Sequence, residues 1–144
     1  MTHRSVRETI AGRKPCMARG ATTIAVAART MKKHDIGALM VVDGGRLVGI
    51  FTERDAVFRV LAEGRDPART PLIDVMTAQP KAIAPDRAID EALLMMHDGG
   101  FRHVPVVDGD KPLGMVSARD ALDPELRDVE AEILEREHFA EVLR

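Results

Sequence analysis

The chain has 144 residues, of which 45% are hydrophobic and 31% charged, and its formal net charge is −2. This length allows one compact domain, or two half-size units that share a core, and excludes a catalytic domain joined to a regulatory one. The longest apolar stretch, near residues 37–42, is far shorter than the roughly 18 residues of a membrane span, and no signal-peptide pattern opens the chain. We therefore expect a cytoplasmic protein that does not associate with membranes.

The two ends of the chain carry opposite charge. Residues 1–20 contain five Lys and Arg against one Glu, whereas residues 123–144 contain eight Asp and Glu against three Arg. The basic segment has no aromatic side chains for stacking on bases, so we predict contact between the two ends, within or between subunits, and no nucleic-acid binding. Cys16 is the single cysteine, which excludes an internal disulfide. Because no catalytic signature flanks it, we predict a buried, inert thiol.

The first predicted elements form a unit of strand, helix, strand, strand and helix. Met17–Ala18 is a weak candidate for a short opening strand. Apolar residues at helical spacing then predict an amphipathic helix: Ile24, Ala27, Ala28 and Met31. Two apolar runs around Asp43-Gly44 predict a β-hairpin, since glycine accepts the positive φ of such turns. The helix that follows Thr52 is expected to reach about Leu61 and to end at Gly64.

The same unit occurs twice. Residues 15–56 align without a gap with residues 80–121, at an offset of 65 positions. The second copy has a candidate strand at Ala82–Ile83, a hairpin turn at Asp108-Gly109, and a second amphipathic helix with Ile89, Ala92, Leu93 and Met96 on one face. Neither copy could cover both faces of a three-stranded sheet alone, so we expect one pseudo-symmetric α/β (α+β) domain made of two βαββα repeats.

The remaining segments connect and extend the repeats. Arg65–Thr77, with Pro67 and Pro71, predicts a connector with a short helical turn. Asp123-Pro124 predicts the start of a charged helix that runs to about Val142 and packs either on its own domain or on a partner. We place the first repeat with its N-terminal segment at residues 1–66, the linker and second repeat at 67–122, and the C-terminal helix at 123–144.

The repeated octets, "GIFTERDA" at residues 49–56 and "GMVSARDA" at 114–121, are either helix caps or a ligand site. A hydroxyl followed three positions later by Asp is almost a capping box, which accounts for Thr52 with Asp55 and for Ser117 with Asp120. Capping does not explain the preceding glycines, or why Arg54 and Arg119 lie at helix starts, where the dipole disfavours positive charge. The alternative to capping is a nucleotide site. There the helix N-terminus and the arginine would bind phosphate, and the carboxylate would accept from ribose hydroxyls.

Other candidate sites are weaker. Gly44, Gly45 and Gly49 suggest a phosphate loop, but no Gly-Lys-Ser/Thr follows and the hairpin explains them. The histidines lack ligand spacing, so no metal site is predicted. Taken alone, His103 is more typical of a structural histidine, and its position beside Arg102 favours phosphate binding.

The octets resemble the signature of CBS domains, named after cystathionine β-synthase. "IGALMVVDGGRLVG", "FRHVPVVDGDKPLG" and the connecting "DVMTAQP" are similar to the same family, and two tandem copies resemble a Bateman module. The resemblance covers about residues 10–122. It implies a regulatory, non-enzymatic module that binds an adenine nucleotide such as AMP, ATP or NAD, or a related adenosyl ligand, between the repeats. It also implies a homodimer, often a flat disc of four repeats, that controls another protein.

The resemblance further implies two ligand sites. The first would use Thr52 and Asp55, the backbone near the base at Lys81, Ala82 and Ile83, and the phosphate-facing Arg102 and His103. The second would use Ser117 and Asp120, with Met17 and Ala18 beside the base and Ile36, Gly37 and Ala38 toward phosphate. Because Gly37 and Ala38 replace the two cations, we expect the first site to bind the phosphorylated nucleotide more tightly, by roughly ten- to a hundredfold.

Two other functions fit parts of the sequence. A ligand-free dimerisation scaffold would use the octets only as caps. A nucleotide hydrolase would use Asp55 with His103, but no second carboxylate or metal cluster is evident near them in the sequence.

Overall fold

The computed structural model describes residues 4–121 and 124–143. The first repeat contains β1 (Met17–Ala18), α2 (Ile24–His34), β2 (Ala38–Asp43) and β3 (Arg46–Thr52), and it is preceded by α1 (Val6–Ile10). After β3 the chain forms α3 (Glu53–Asp55) and continues as a π-helix (Ala56–Leu61). The helix thus ends at Leu61 as predicted, and Gly64 beyond it has a φ of 66°.

The second repeat contains α5 (Ile89–Gly99), β5 (His103–Asp108), β6 (Lys111–Ser117) and a 3₁₀ helix (Ala118–Ala121). Both predicted hairpins are confirmed, with φ of 59° at Gly44 and 62° at Gly109. The predicted strand at Ala82–Ile83 is wrong as a full strand: Ile83 forms a single parallel bridge to Val106. The Ile83 N–H donates to Pro105 O, and the Ile83 carbonyl accepts from Val107 N.

Each repeat is completed by the segment that precedes the other repeat. In the connector, α4 (Leu72–Val75) and β4 (Thr77–Ala78) pack on the first repeat, whose sheet has the order β1-β2-β3-β4. Val6 and Ile10 of α1 are buried in the core of the second repeat. This exchange ties the two repeats together, because the segment that leads into each unit is anchored in its neighbour.

The predicted helical faces are largely confirmed. Ile24, Ala27 and Met31 are buried on α2, whereas Ala28 is exposed. On α5 the buried residues are Ile89, Ala92 and Met96, and Leu93 is half-buried. The two helices face separate hydrophobic clusters, one in each repeat.

The C-terminal helix α6 spans Pro124–Val142. The predicted cap Asp123 lies outside the described residues. The side chains of residues 132–143 are exposed, including Ile133 and Phe139, so this part of the helix does not pack on its own domain. Among the described residues, no helix combines the length and the apolar character that a bilayer crossing requires.

Candidate functional site

The first octet forms a complete capping box at the end of β3. Thr52 Oγ1 accepts from the Asp55 backbone N–H at 3.2 Å, and Asp55 Oδ2 accepts from the Thr52 backbone N–H at 3.0 Å. Thr52 Oγ1 also donates to Asp55 Oδ2 at 3.1 Å. Capping therefore occupies one oxygen of the Asp55 carboxylate and leaves Oδ1 pointing elsewhere.

Arg59 faces that second oxygen. Its Nε lies 3.5 Å from Asp55 Oδ1, while its Nη1 donates to the carbonyls of Val75 and Met76 at 3.2 and 2.9 Å. Arg59 thus joins the π-helix to the end of α4 and only approaches the carboxylate. The sequence analysis missed this residue, although the i, i+4 spacing from Asp55 to Arg59 was a usable signal.

The second octet is held by a different arginine. Asp120 Oδ2 accepts from the Ser117 backbone N–H at 2.8 Å, as in the first motif. In addition, Arg13 grips both carboxylate oxygens, with Nη2 2.6 Å from Oδ1 and Nη1 3.0 Å from Oδ2. The hydrogen bond to Asp120 raises the pKa of Arg13 above its ordinary value. No local pattern predicts this pair, because the partners are 107 residues apart in the chain.

The two motifs approach each other around His103. In each repeat the start of the motif helix donates to the residue before the first hairpin strand: Glu53 N to Gly37 O at 3.0 Å, and Ala118 N to Arg102 O at 2.9 Å. A Cβ atom built on Gly37 would lie 3.5 Å from His103 Cε1 and 2.7 Å from Glu53 Oε1. His103 of the second repeat therefore lies against Gly37 and Glu53 of the first.

The environment of His103 disfavours its charged form. Burial lowers the pKa of His103 below its usual value, and the positive charge of Arg102 lowers it further. The carboxylates of Glu53 and Asp120 raise the pKa and offset part of this shift. One acidic group from each motif thus acts on the same imidazole. At neutral pH the ring is uncharged, so Arg102 is the permanent cation of this pair.

We predict that His103 makes stability fall in mild acid. The unfolded chain takes up the proton near pH 6.5, the ordinary histidine pKa, whereas the folded chain does so only at lower pH, so the free energy of unfolding decreases as the pH falls below about 6.5. Urea unfolding between pH 7.5 and 5.5 should show this decrease in the wild type and a flatter profile in His103→Gln. The matched change His97→Gln, at an exposed position on α5, should keep the wild-type slope. Identical profiles for His103→Gln and wild type would contradict the assignment.

The glycines that open the octets accommodate protein side chains. A Cβ atom on Gly49 would collide with Met76 Sδ and lie 2.9 Å from Met76 Cγ. A Cβ atom on Gly114 would lie 3.1 Å from Ile10 Cδ1. Met76 follows α4 and Ile10 ends α1, so both glycines leave room for the exchanged segments that complete each repeat. The close contact at each glycine is therefore made by a side chain of the protein itself.

The segments predicted to lie beside the base or toward phosphate have defined neighbours in the sheet of the first repeat. Met17 and Ala18 pair in parallel with Met40 and Val41. Lys81, Ala82 and Ile83 follow β4, whose Ala78 pairs with Gly49, three residues before Thr52. Ile36, Gly37 and Ala38 lead into β2, and Ala38 pairs with Thr52 itself. The structure thus brings residues 36–38 against the first motif, within the repeat that contains them.

Three further predictions concern single residues. Arg54 is exposed and its guanidinium lies 5.3 Å from the centre of the Phe58 ring, a cation–π contact that gives this arginine a structural role. Arg119 is also exposed. Cys16 is half-buried, less enclosed than predicted, and burial raises the pKa of its thiol, which disfavours the reactive thiolate. In the part of the chain that the structure describes, no cluster of three metal-ligating side chains occurs.

A surface hollow of about 200 Å³ lies between the π-helix and α4. None of its lining residues belongs to the predicted ligand contacts: Phe58, Arg59, Glu63, Arg65, Asp74 and Val75. Arg59 lines the hollow and also approaches the Asp55 carboxylate, so the hollow adjoins the first motif on the side of α4.

Comparison with known proteins identifies the family to which both repeats belong. The family model of the CBS domain matches residues 6–62 and 72–124. An uncharacterized 17.7 kDa protein of Acidianus ambivalens is 43% identical over 100 residues, which are 68% of this chain and 59% of that protein. The match to a Schizosaccharomyces pombe protein named for meiotic up-regulation spans only 13% of that longer sequence.

Solved structures share the fold. A protein with CBS domains from Burkholderia ambifaria is 33% identical with a TM-score of 0.76, over 81% of this chain and 90% of that one. The CBS domain pair of protein MJ0100 is 29% identical with a TM-score of 0.73, over 82% and 92% of the two chains. That pair was solved in complex with 5′-methylthioadenosine and S-adenosyl-L-methionine.

Proposed function

Because this chain belongs to the CBS domain family, we propose that it is a regulatory module that binds an adenosyl ligand, such as AMP, ATP or NAD, between its two repeats. The observation that carries this proposal is the meeting of both motifs around His103, which lies against Gly37 and Glu53 and is influenced by Asp120. The adenosyl ligands bound by the MJ0100 pair support the ligand class.

The first motif is the better candidate for the tighter site. Asp55 Oδ2 is used in capping, and Oδ1 has Arg59 only at 3.5 Å, so Oδ1 can accept from ribose hydroxyls. Arg102 and His103 supply donors for phosphate, whereas the corresponding positions of the first repeat are Gly37 and Ala38. A bound phosphate would favour the protonated form of His103, so affinity should rise as the pH falls from 7.5 toward 6.

The remaining contacts are proposed by position. The backbone of residues 81–83 would lie beside the base in the first site, and that of residues 17–18 in the second. Ser117 and Asp120 would replace Thr52 and Asp55 in the second site. Arg54 and Arg119 are both exposed, and Arg54 would have to give up its contact with the Phe58 ring to bind phosphate.

Thermal unfolding in the presence of AMP, ATP, NAD and S-adenosylmethionine tests the proposal. A ligand at 100 times its dissociation constant adds roughly 2.7 kcal/mol to the free energy of unfolding. We expect at least one of the four to raise the Tm, and Asp55→Asn to reduce the rise while Asp90→Asn, an exposed carboxylate on α5, keeps it. Absence of a shift with all four ligands would contradict ligand binding.

A ligand-free scaffold is the second candidate, and a specific observation favours it. The capping box of Thr52 and Asp55 is complete, and Arg13 already satisfies Asp120, so both carboxylates stabilise the fold without a ligand. The thermal experiment separates the two functions, because a scaffold would show no ligand response. We assign no catalytic residue in either case.

We also propose that the chain acts as a homodimer in the cytoplasm and controls another protein. Large apolar side chains are exposed along the π-helix and α4, namely Val57, Phe58, Leu61 and Ile73, with Leu61 72% exposed. Covering them would remove apolar surface from water. Sedimentation equilibrium should therefore give twice the 15.8 kDa chain mass, whereas a monomer at micromolar concentration would contradict the proposal.

A further inference from the structure

The N-terminal segment holds the second motif from two sides. Arg13 binds both oxygens of the Asp120 side chain, and Arg4 Nη2 donates to the Asp120 backbone carbonyl at 2.7 Å. The Asp120 side chain is only 5% exposed, whereas that of Arg13 is 39% exposed. The guanidinium therefore covers a buried carboxylate and is itself partly in contact with solvent.

The position of Arg13 is fixed by the packing of the segment. Its backbone N–H donates to Ile10 O at 3.1 Å, and Ile10 is buried in the core of the second repeat. Upstream, Arg4 O accepts from Ile89 N at 2.9 Å, and Val6 N donates to Arg87 O at 2.8 Å. Since both ends of the segment are bound to the second repeat, the backbone of Arg13 is held next to Asp120.

At the sequence position equivalent to Arg13, the first motif has no arginine. Position 78, which is 65 residues after Arg13, is Ala78, whose side chain cannot reach or neutralise a carboxylate. Asp55 instead faces Arg59 of the π-helix, whose Nη1 already donates to the carbonyls of Val75 and Met76. The two pseudo-equivalent carboxylates therefore differ in how many acceptor positions remain for a ligand.

The acceptor positions can be counted. A carboxylate has about four lone-pair directions. Among its contacts, the Asp120 carboxylate accepts from Ser117 N, from Ser117 Oγ at 3.4 Å and twice from Arg13. A ribose that offers two hydroxyls to one carboxylate needs two acceptor directions that nothing else occupies. At Asp120 the Arg13 guanidinium occupies one direction on each oxygen and competes with a ribose for them.

We propose that Arg13 is a gate for the second ligand site: it occupies Asp120 until the N-terminal segment moves, so that the site of Asp55 fills first and the site of Asp120 fills at higher ligand concentration. This inference rests on the proposed function, in which the two carboxylates receive ribose hydroxyls. The difference in affinity between the two sites then has two causes: Arg13 competes with the ligand at Asp120, and Arg102 and His103 face phosphate in the first site. A ligand that fills the second site must displace residues 4–13 or at least the Arg13 side chain.

Calorimetric titration with AMP and, separately, with ATP tests the gate in the full chain. The wild type should bind one nucleotide tightly and a second more weakly. Arg13→Gln should tighten the second event by on the order of tenfold, the equivalent of one charge-assisted contact that no longer competes. Arg7→Gln is the matched control, because Arg7 lies on α1 and pairs with Asp86 at the surface, where the side chains are 58% and 84% exposed.

Each outcome has a defined meaning. If the wild type binds nucleotide and Arg13→Gln leaves the second event unchanged or weaker, the gate is wrong while the proposed function stands. If no variant binds either nucleotide, the gate is wrong for these nucleotides, and the proposed function is wrong as well if NAD and S-adenosylmethionine also leave the Tm unchanged. Should Arg13→Gln unfold, Arg13→Lys keeps the charge but loses the bidentate geometry, and it should tighten the second event by a smaller factor. Equal filling of both sites in the wild type would also overturn the gate.

Discussion

Asp120→Ala is expected to lower the free energy of unfolding by about 2–4 kcal/mol, more than Asp55→Ala, for which we expect about 1 kcal/mol. Removing Asp120, whose side chain is 5% exposed, leaves the Arg13 guanidinium and the Ser117 N–H without this acceptor. Because Arg13 is 39% exposed, water compensates part of this loss, which keeps the effect below that of a fully buried pair. Asp55→Ala removes chiefly a helix cap.

Urea unfolding at pH 7.5 measures both losses. A double-mutant cycle with Arg13→Gln isolates the pair: once Arg13 is replaced, Asp120→Ala should cost clearly less. Asp120→Asn, which keeps an acceptor for Ser117 N, should fall between wild type and Asp120→Ala. A larger loss for Asp55→Ala than for Asp120→Ala would show that the bidentate contact is not formed in solution.

Gly49→Val is expected to destabilise the protein by about 1–3 kcal/mol, the usual cost of overpacking. The added atoms would occupy the space of the Met76 side chain, and a Cβ alone would come within 2.9 Å of Met76 Cγ. Moving Met76 disturbs the end of α4, where Arg59 binds the carbonyls of Val75 and Met76. Thermal unfolding measures the loss.

Two variants control this prediction. The Cβ atom of Gly114→Ala would meet the Ile10 side chain at no less than 3.1 Å, whereas that of Gly49→Ala would come within 2.9 Å of Met76 Cγ, so the loss at Gly114 should be smaller. Met76→Ala should restore part of the stability when combined with Gly49→Val, because it empties the contested space. Failure of Met76→Ala to relieve Gly49→Val would mean that the glycine is needed for another reason.

Local patterns predicted most of the fold. The 65-residue offset identified the two repeats, the i, i+3, i+4, i+7 spacing identified α2 and α5, and Asp-Gly pairs identified both hairpin turns. The helical spacing and the turn pairs each lie within about ten residues of chain, and the offset is found by comparing the chain with itself. The π-helical form of residues 56–61 was not predicted, since the same apolar spacing fits an α-helix.

Long-range placement could not be read in this way. The exchange of α1 and α4 between repeats, and with it the reason for Gly49 and Gly114, depends on contacts between segments distant in the chain. The motif residues Thr52, Asp55, Ser117 and Asp120 were identified from their repetition, but the arginines that face the carboxylates were not. Arg13 sits in a basic segment whose charge was noted, yet nothing local assigns its partner. The roles of all these residues toward a ligand stay predictions.

Crystal structures of the chain with AMP and, separately, with ATP are the most direct measurement of where it binds an adenosyl ligand. We expect the nucleotide between the repeats, with ribose hydroxyls within hydrogen-bond distance of Asp55 Oδ1 and phosphate near Arg102 and His103. Where the second site has low ligand occupancy, Arg13 should remain bound to Asp120. A nucleotide bound instead in the hollow beside Phe58, or crystals without nucleotide at millimolar concentration, would contradict the account.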